Sequence, residues 1–194
     1  MEELQGSGKL ILILGSSGSG KGTVLEALRR DHPDFVFPVS CTTRDPRPGE
    51  KNGEVYNFVS KEEFLRRRDR GDFLEWAVVH EDNFYGTLKE DIMKPLREGR
   101  IVVREVDVQG LRSIRELIPK EYLRSIFLTV DSWDTLLARI LKRSDLPEEE
   151  IRHRHESFLK ESKWADECDF VVENREGQVK ETITQVEDAI ESVV

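Results

Sequence analysis

An unbroken apolar run, Lys9-Leu-Ile-Leu-Ile-Leu14, feeds directly into Gly15-Ser-Ser-Gly-Ser-Gly20-Lys21-Gly22-Thr23, and no other stretch limits the possible folds so tightly. A continuous apolar run is the signature of a strand buried on both faces, as in the centre of a parallel sheet. Val24, Leu25, Ala27 and Leu28 then mark one face of a helix. Strand, glycine turn and helix in that order make a phosphate cradle: backbone N–H groups of the turn converge on an anion, the helix N-terminus adds partial positive charge, and Lys21 adds a full one. Ser17, Gly18, Ser19, Gly20, Lys21, Gly22 and Thr23 are therefore the candidate nucleotide-phosphate residues. The pattern G-x-x-x-x-G-K is complete, but Gly22 stands where a Ser or Thr hydroxyl usually meets Mg²⁺, which leaves Thr23 as the candidate metal ligand.

A chain of 194 residues is long enough for one domain with inserted lobes. Its net charge of −9 opposes nucleic acid and anionic membranes, so a polyanionic ligand requires a local cluster of Arg and Lys. Two cysteines, Cys41 and Cys168, make no disulfide framework and suit the cytoplasm. No apolar run reaches transmembrane length.

Further strands are expected at Phe35–Val39, Asn57–Val59, Phe73–Val79, Ile101–Val106, Ser125–Val130 and Asp169–Val172. Ser60-Lys-Glu-Glu63 and Thr87-Leu-Lys-Glu90 read as capping boxes that open helices ending near Gly71 and Gly99. Other helices are expected at about 110–118, 132–142, 148–164 and 178–192. Strands alternating with helices indicate a parallel α/β sheet with its ligands at the carboxyl ends of the strands. Residues 39–90 break that rhythm and read as an inserted substrate lobe. The charge-dense 143–155 stretch reads as a mobile lid, with His153 and His155 as solvated residues on it.

Ser40-Cys-Thr-Thr-Arg44-Asp-Pro-Arg47-Pro-Gly-Glu50 sets two arginines in a proline-stiffened loop, and the planar fork of Arg suits a dianionic phosphate. This segment, together with Gly53-Glu-Val-Tyr56-Asn-Phe-Val-Ser60, Phe73-Leu-Glu75-Trp-Ala77, Tyr85-Gly-Thr87 and Glu105-Val-Asp107-Val-Gln-Gly110, resembles the successive motifs of the guanylate kinases. Order and spacing match from the phosphate loop to about Asn174.

The resemblance implies a three-layer P-loop kinase fold of class α/β, with a parallel core sheet (9–38, 91–132 and 164–194), an inserted mixed α+β GMP-binding lobe (39–90) and a helical lid (133–163). It implies the reaction MgATP + GMP → ADP + GDP in purine metabolism, with dGMP as a second acceptor, in a monomer or homodimer. By the same resemblance Arg44, Arg47 and Tyr56 hold the GMP phosphate, with Tyr85 as a further contact, and Ser40, Glu75 and Thr87 read the guanine edge. A carboxylate at Glu75 is chemically apt, because it accepts from guanine N1–H and the exocyclic amine while adenine offers an acceptor at N1. Asp107 occupies a strand end where a carboxylate faces Mg²⁺ through water or orients the substrate, and Glu105 lies two residues earlier on the same strand face. Arg139, Arg143 and Arg154 correspond to lid arginines that close on the triphosphate, with Lys21, Arg44, Arg143 and Arg154 as the catalytic set, and Asn174 corresponds to a residue near the adenine of ATP. Two features depart from the family pattern: the turn His80-Glu-Asp-Asn83 is one residue longer, with acids in place of a glycine, and His155 replaces an aliphatic residue. A catalytically silent binding module and a kinase for a phosphorylated sugar are the competing readings. The first is opposed by Lys21 and the arginines, and the second leaves Ser40, Glu75 and Thr87 without a task.

Overall fold

The computed structural model describes residues 8–79, 82–142 and 145–192. The apolar run forms β1 (Lys9–Leu14), and its last five residues are at most 1% exposed. Burial alternates in destination rather than in degree. Leu10, Leu12 and Leu14 face one core, while Ile11 and Ile13 face the other.

The glycine turn leads into α1 (Lys21–Asp31), whose Val24, Leu25 and Leu28 cover the Ile11/Ile13 face. A second sheet then begins with two short strands, β2 (Cys41–Thr42) and β3 (Asn57–Phe58), followed by α2 (Lys61–Asp69) and the hairpin β4 (Phe73–Val79) and β5 (Asn83–Leu88). The chain returns through α3 (Lys89–Arg97), β6 (Ile101–Glu105), α4 (Val108–Leu117), β7 (Leu123–Thr129), α5 (Trp133–Leu141), α6 (Glu148–Glu161), β8 (Phe170–Glu173) and α7 (Val179–Glu191).

The core sheet has the order β6-β1-β7-β8 and is parallel throughout. Ile92 and Leu96 of α3 and Leu111 and Ile114 of α4 pack on one face, and α1 with Val186, Ala189 and Ile190 of α7 packs on the other. That is the three-layer arrangement expected when both faces of a parallel sheet are buried. The second sheet, order β3-β2-β5-β4, mixes parallel and antiparallel pairs. It rests on a small aromatic core in which Phe64 stacks on Phe73 at 4.3 Å.

Two local expectations are corrected. Phe35–Val39 is not a strand. Val36 alone bridges to the sheet edge, through Val36 N to Ile101 O and Val103 N to Val36 O, both at 2.8 Å. Pro38 has no N–H to continue the ladder. Thr87 does not cap α3 either: the helix begins after Leu88 without a side-chain cap, and the Thr87 hydroxyl donates instead to Glu75. The Ser60 cap does form, with Ser60 Oγ accepting from Glu63 N at 3.1 Å, while the Glu63 carboxylate is taken by Arg66 and Arg67 rather than closing the box.

Candidate active site

The glycines of the first turn are required by its shape. Gly18 and Gly20 have φ of +93° and +102°, a region that other residues rarely adopt. At Gly20 a Cβ would also lie 2.2 Å from Asn174 Nδ2. The Asn174 side chain is buried, donates to Ser19 O at 2.7 Å and accepts from the Thr182 hydroxyl at 3.3 Å, so it braces the loop from behind. Lys21 folds back over the loop and donates to Gly15 O at 2.6 Å and Ser16 O at 3.2 Å, with Glu105 Oε1 3.5 Å away. Ser19 Oγ is buried without a hydrogen-bond partner. Across from the loop, Arg154 of α6 reaches Ser17 Oγ at 3.2 Å.

From this loop a cleft of about 740 Å³ runs to the second sheet. Lys21 and Ser17 line one end, and Ser40 and Glu75 line the other. The far end owes its form to a β-bulge. Phe73 pairs with Leu88 but Glu75 pairs with Thr87, so one extra residue in β4 brings Glu75 directly opposite Thr87. The Thr87 hydroxyl donates to Glu75 Oε1 at 2.6 Å, and Thr87 is 1% exposed. Arg104 of β6 enters the same corner. Its Nη1 donates to Pro38 O at 3.1 Å, its Nη2 donates to Ser40 Oγ, and Nη2 stands 3.8 Å from Glu75 Oε1. Burial pushes the Arg104 guanidinium below its ordinary pKa, and Glu75 and Glu105 oppose that shift.

A third cluster sits on the loop after β2. Glu50 accepts from Arg44 Nη2 through both oxygens, at 2.8 and 3.0 Å, and from the Arg47 backbone N–H at 2.8 Å. The Arg47 N–H bond and then the Arg44 guanidinium hold the Glu50 carboxyl below the usual carboxylate range. The Arg44 guanidinium lies 5.5 Å from the centre of the Tyr56 ring, and Tyr56 meets Tyr85 edge-on at 5.5 Å. Arg44, Tyr56 and Tyr85 are thus gathered into one cationic, hydroxyl-bearing corner, and Arg47 is exposed beside it.

A sequence model of the guanylate kinase family matches residues 7–193. The chain belongs to the guanylate kinase family. It is 40% identical to the guanylate kinase of Thermotoga maritima, over 96% of this chain and 84% of the relative. It is 43% identical to that of Caldanaerobacter subterraneus, over 86% and 80%. The crystal structure of guanylate kinase from Anaplasma phagocytophilum superposes with a TM-score of 0.69 at 28% identity, covering 95% of this chain and 85% of that one.

Within this guanylate kinase fold the expected residues are spread over the cleft and its margins. Ser17, Lys21, Ser40, Glu75, Tyr85 and Asp107 line the one cleft. Asp107 also caps α4, accepting from Gly110 N at 2.7 Å, so the carboxylate nearest Lys21 is Glu105. Thr23 and Gly22 are exposed on the first turn of α1.

Three residues meet neighbours that the sequence did not announce. The amide of Asn174 is taken up by Ser19 and Thr182, so its side chain braces the phosphate loop. Arg139 is turned to the loop after β8, donating to Asn174 O at 2.9 Å and Glu176 at 3.1 Å. His155 is not solvated as His153 is, because its ring packs on Trp133 at 4.6 Å. Arg143 lies outside the described residues, as do His80 and Glu81 of the lengthened turn. Arg104 was missed, although a cation inside the run Ile101-Val-Val-Arg-Glu-Val106 is a legible signal. Burying a charge is costly unless it is paired, so such a residue signals polar partners brought in by the fold.

Proposed function

We infer that this chain transfers the γ-phosphoryl group of ATP to GMP, giving ADP and GDP, and that dGMP is a second acceptor. The observation that carries this reading is one continuous cleft lined by both Lys21 and Glu75. It is suited to two nucleotides laid end to end. In this reading the phosphate loop, Ser17 to Thr23, cradles the ATP phosphates through its N–H groups. Lys21 leaves the loop carbonyls for the β- and γ-oxygens, which as anions are better acceptors than Gly15 O and Ser16 O. Arg154, with Arg143, neutralises charge that spreads over the transferring group.

Arg44 and Arg47, with the hydroxyls of Tyr56 and Tyr85, hold the GMP phosphate. Ser40, Glu75 and Thr87 read the base. The attacking oxygen belongs to a phosphate already ionised at neutral pH, so the reaction needs positioning and charge neutralisation rather than a general base. Closure of the 39–90 lobe and the 133–163 lid on the core excludes water as a competing acceptor.

Magnesium accompanying ATP fits the donors at the loop end. These are the hydroxyls of Ser19 and Thr23 and the carboxylates of Glu105 and Asp107, all hard oxygen ligands, with Ser19 Oγ buried and unpartnered. When bound there it neutralises the β- and γ-phosphate oxygens. Among the described residues no helix is long and apolar enough to cross a membrane. The cytoplasm, which holds the purine nucleotide pool, is the compartment that this reaction suits.

A coupled ADP-release assay with GMP, dGMP, AMP and a ribose phosphate as acceptors tests the reading. Turnover confined to the guanine nucleotides is the expected result. ADP release of equal rate with the sugar phosphate, or GMP binding without turnover, overturns it.

A further inference from the structure

We propose that Arg104 is a specificity-determining residue that fixes the direction of the hydrogen bonds in the base pocket, so that the pocket accepts a purine with an oxo group at C6 and rejects one with an amino group there. The inference rests on the reading of Ser40, Glu75 and Thr87 as the base-recognition set, and adds a residue outside it.

The argument begins with the chemistry of the two partners. A guanidinium has donors and no acceptor, whereas a serine hydroxyl has one proton and two lone pairs. In the bond between Arg104 Nη2 and Ser40 Oγ, the hydroxyl must therefore be the acceptor. Its proton remains free to point away from Arg104, and Ser40 lines the cleft. Along the base edge that Glu75 addresses, guanine offers one acceptor, the C6 oxygen, and adenine offers a C6 amino donor in its place. A hydroxyl whose proton points away from the guanidinium rewards the first, while the second would have to bring an amino donor to the one remaining lone pair, beside the positive charge of Arg104.

Glu75 is locked in a complementary sense. The Thr87 hydroxyl donates to Oε1, so the carboxylate faces the cleft as an acceptor for N1–H. Arg104 is held in place by Pro38 O, which the break in the Phe35–Val39 segment leaves outside the sheet ladder. Its Nε stays buried without a partner. A buried N–H left unpaired works against stability, which marks the side chain as kept for the pocket rather than for the fold.

The test compares the ratio of kcat/KM values for GMP, IMP and AMP in the wild type, Arg104→Met and Arg104→Lys. Methionine keeps an unbranched chain of similar length without the charge, and lets the Ser40 hydroxyl turn and accept from the adenine amino group. The GMP:AMP ratio is expected to fall about 10-fold or more, the scale set by one specific hydrogen bond. The GMP:IMP ratio should stay within about 2-fold of wild type, because both bases carry the C6 oxygen. ATP KM should not move. Arg104→Lys, a point charge that cannot span Pro38 and Ser40 together, should fall between, and it carries the test alone if the methionine variant fails to fold.

A loss of the same size in both ratios would mean that Arg104 merely shapes the pocket, and would overturn the proposal. So would an unchanged GMP:AMP ratio. Ser40→Ala adds a second readout. If Arg104 acts through Ser40, adding Arg104→Met to Ser40→Ala produces no further loss of selectivity, whereas additive losses refute the coupling. Wild-type enzyme that shows no preference for GMP over AMP would bring down the base-pocket reading itself, an outcome visible before any variant is made.

Discussion

Arg154 of α6 donates to Ser17 Oγ of the phosphate loop at 3.2 Å, across 137 positions of sequence, while Glu150 one helical turn back holds its Nε at 2.9 Å. The contact delivers a cation from the helical segment to the lip of the loop, where the γ-phosphate of ATP has to lie if the loop works as a cradle. Arg154→Ala is expected to lower kcat by about 10²–10³-fold, the scale of one donor lost at a developing charge, with the KM for GMP nearly unchanged. The side chain is one-third exposed, so the melting temperature should not move. Steady-state kinetics with a melting scan checks both. A fall in stability matching the fall in rate would recast Arg154 as structural.

Lys21 gives a sharper version of the same argument. Its ammonium is half-committed to Gly15 O, Ser16 O and Glu105, all groups that a phosphate outcompetes. Lys21→Met should lower kcat by several orders of magnitude, of which about 3–4 kcal/mol is the charge itself. Glu105→Gln, which takes away one charged neighbour of Lys21 and one of the oxygen donors proposed for magnesium, should lower kcat by less than Lys21→Met does. Near-normal turnover of the methionine variant in the ADP-release assay refutes the role.

How much of this was legible beforehand depended on range. β1 and the glycine loop were legible because a buried strand and a positive-φ turn are local properties of residue type. The Ser60 cap was legible for the same reason. Thr87 satisfied the same pattern, yet it lies inside β5, where pairing with Glu75 of β4 turns its hydroxyl to that carboxylate and the helix starts only after Leu88. The pairing of Glu75 with Thr87 depends on a bulge in β4 that no local signal announced. The brace by Asn174 was not legible for a related reason: its partners, Ser19 and Thr182, lie on two other segments, and only the fold brings them together.

Asn174 therefore supports a prediction about stability. Replacing it with alanine strands Ser19 O, and takes one partner from the Thr182 hydroxyl, which keeps Gln178 O. The expected loss is about 1–3 kcal/mol, together with a raised KM for ATP as the loop loosens. Denaturant melts and ATP titrations on Asn174→Ala measure the two effects. Unchanged stability would show that the brace is dispensable.

Glu50 sets a pH dependence. Its folded carboxyl is held below the ordinary value of 4.5, first by the Arg47 N–H and then by Arg44. A depressed folded value means the contribution to stability is fully present above about 4.5 and is lost as the pH falls through the lower, folded value. Glu50→Gln removes that titration. The gap in melting temperature between wild type and variant should be constant near neutrality and close on acidification below 4.5. A gap that persists in acid would place the ionised form of Glu50 outside the bond network.

The last prediction concerns Glu75. Its Oε1 already accepts from Thr87, and the carboxylate keeps further acceptor capacity for guanine N1–H and the exocyclic amine. In Glu75→Gln, the carbonyl oxygen satisfies Thr87 and the NH₂ group is left facing the two donors of the base. That exchange of an attraction for a donor–donor opposition should lower kcat/KM for GMP by about 10³-fold. Because Glu75 lies at the end of the cleft away from Lys21, the KM for ATP should stay within about 2-fold. Isothermal titration of each nucleotide separates the effects: GMP binding weakened alone assigns Glu75 to the base, whereas an equal loss for both nucleotides would mean that the substitution has disturbed the whole cleft and that the carboxylate reads nothing.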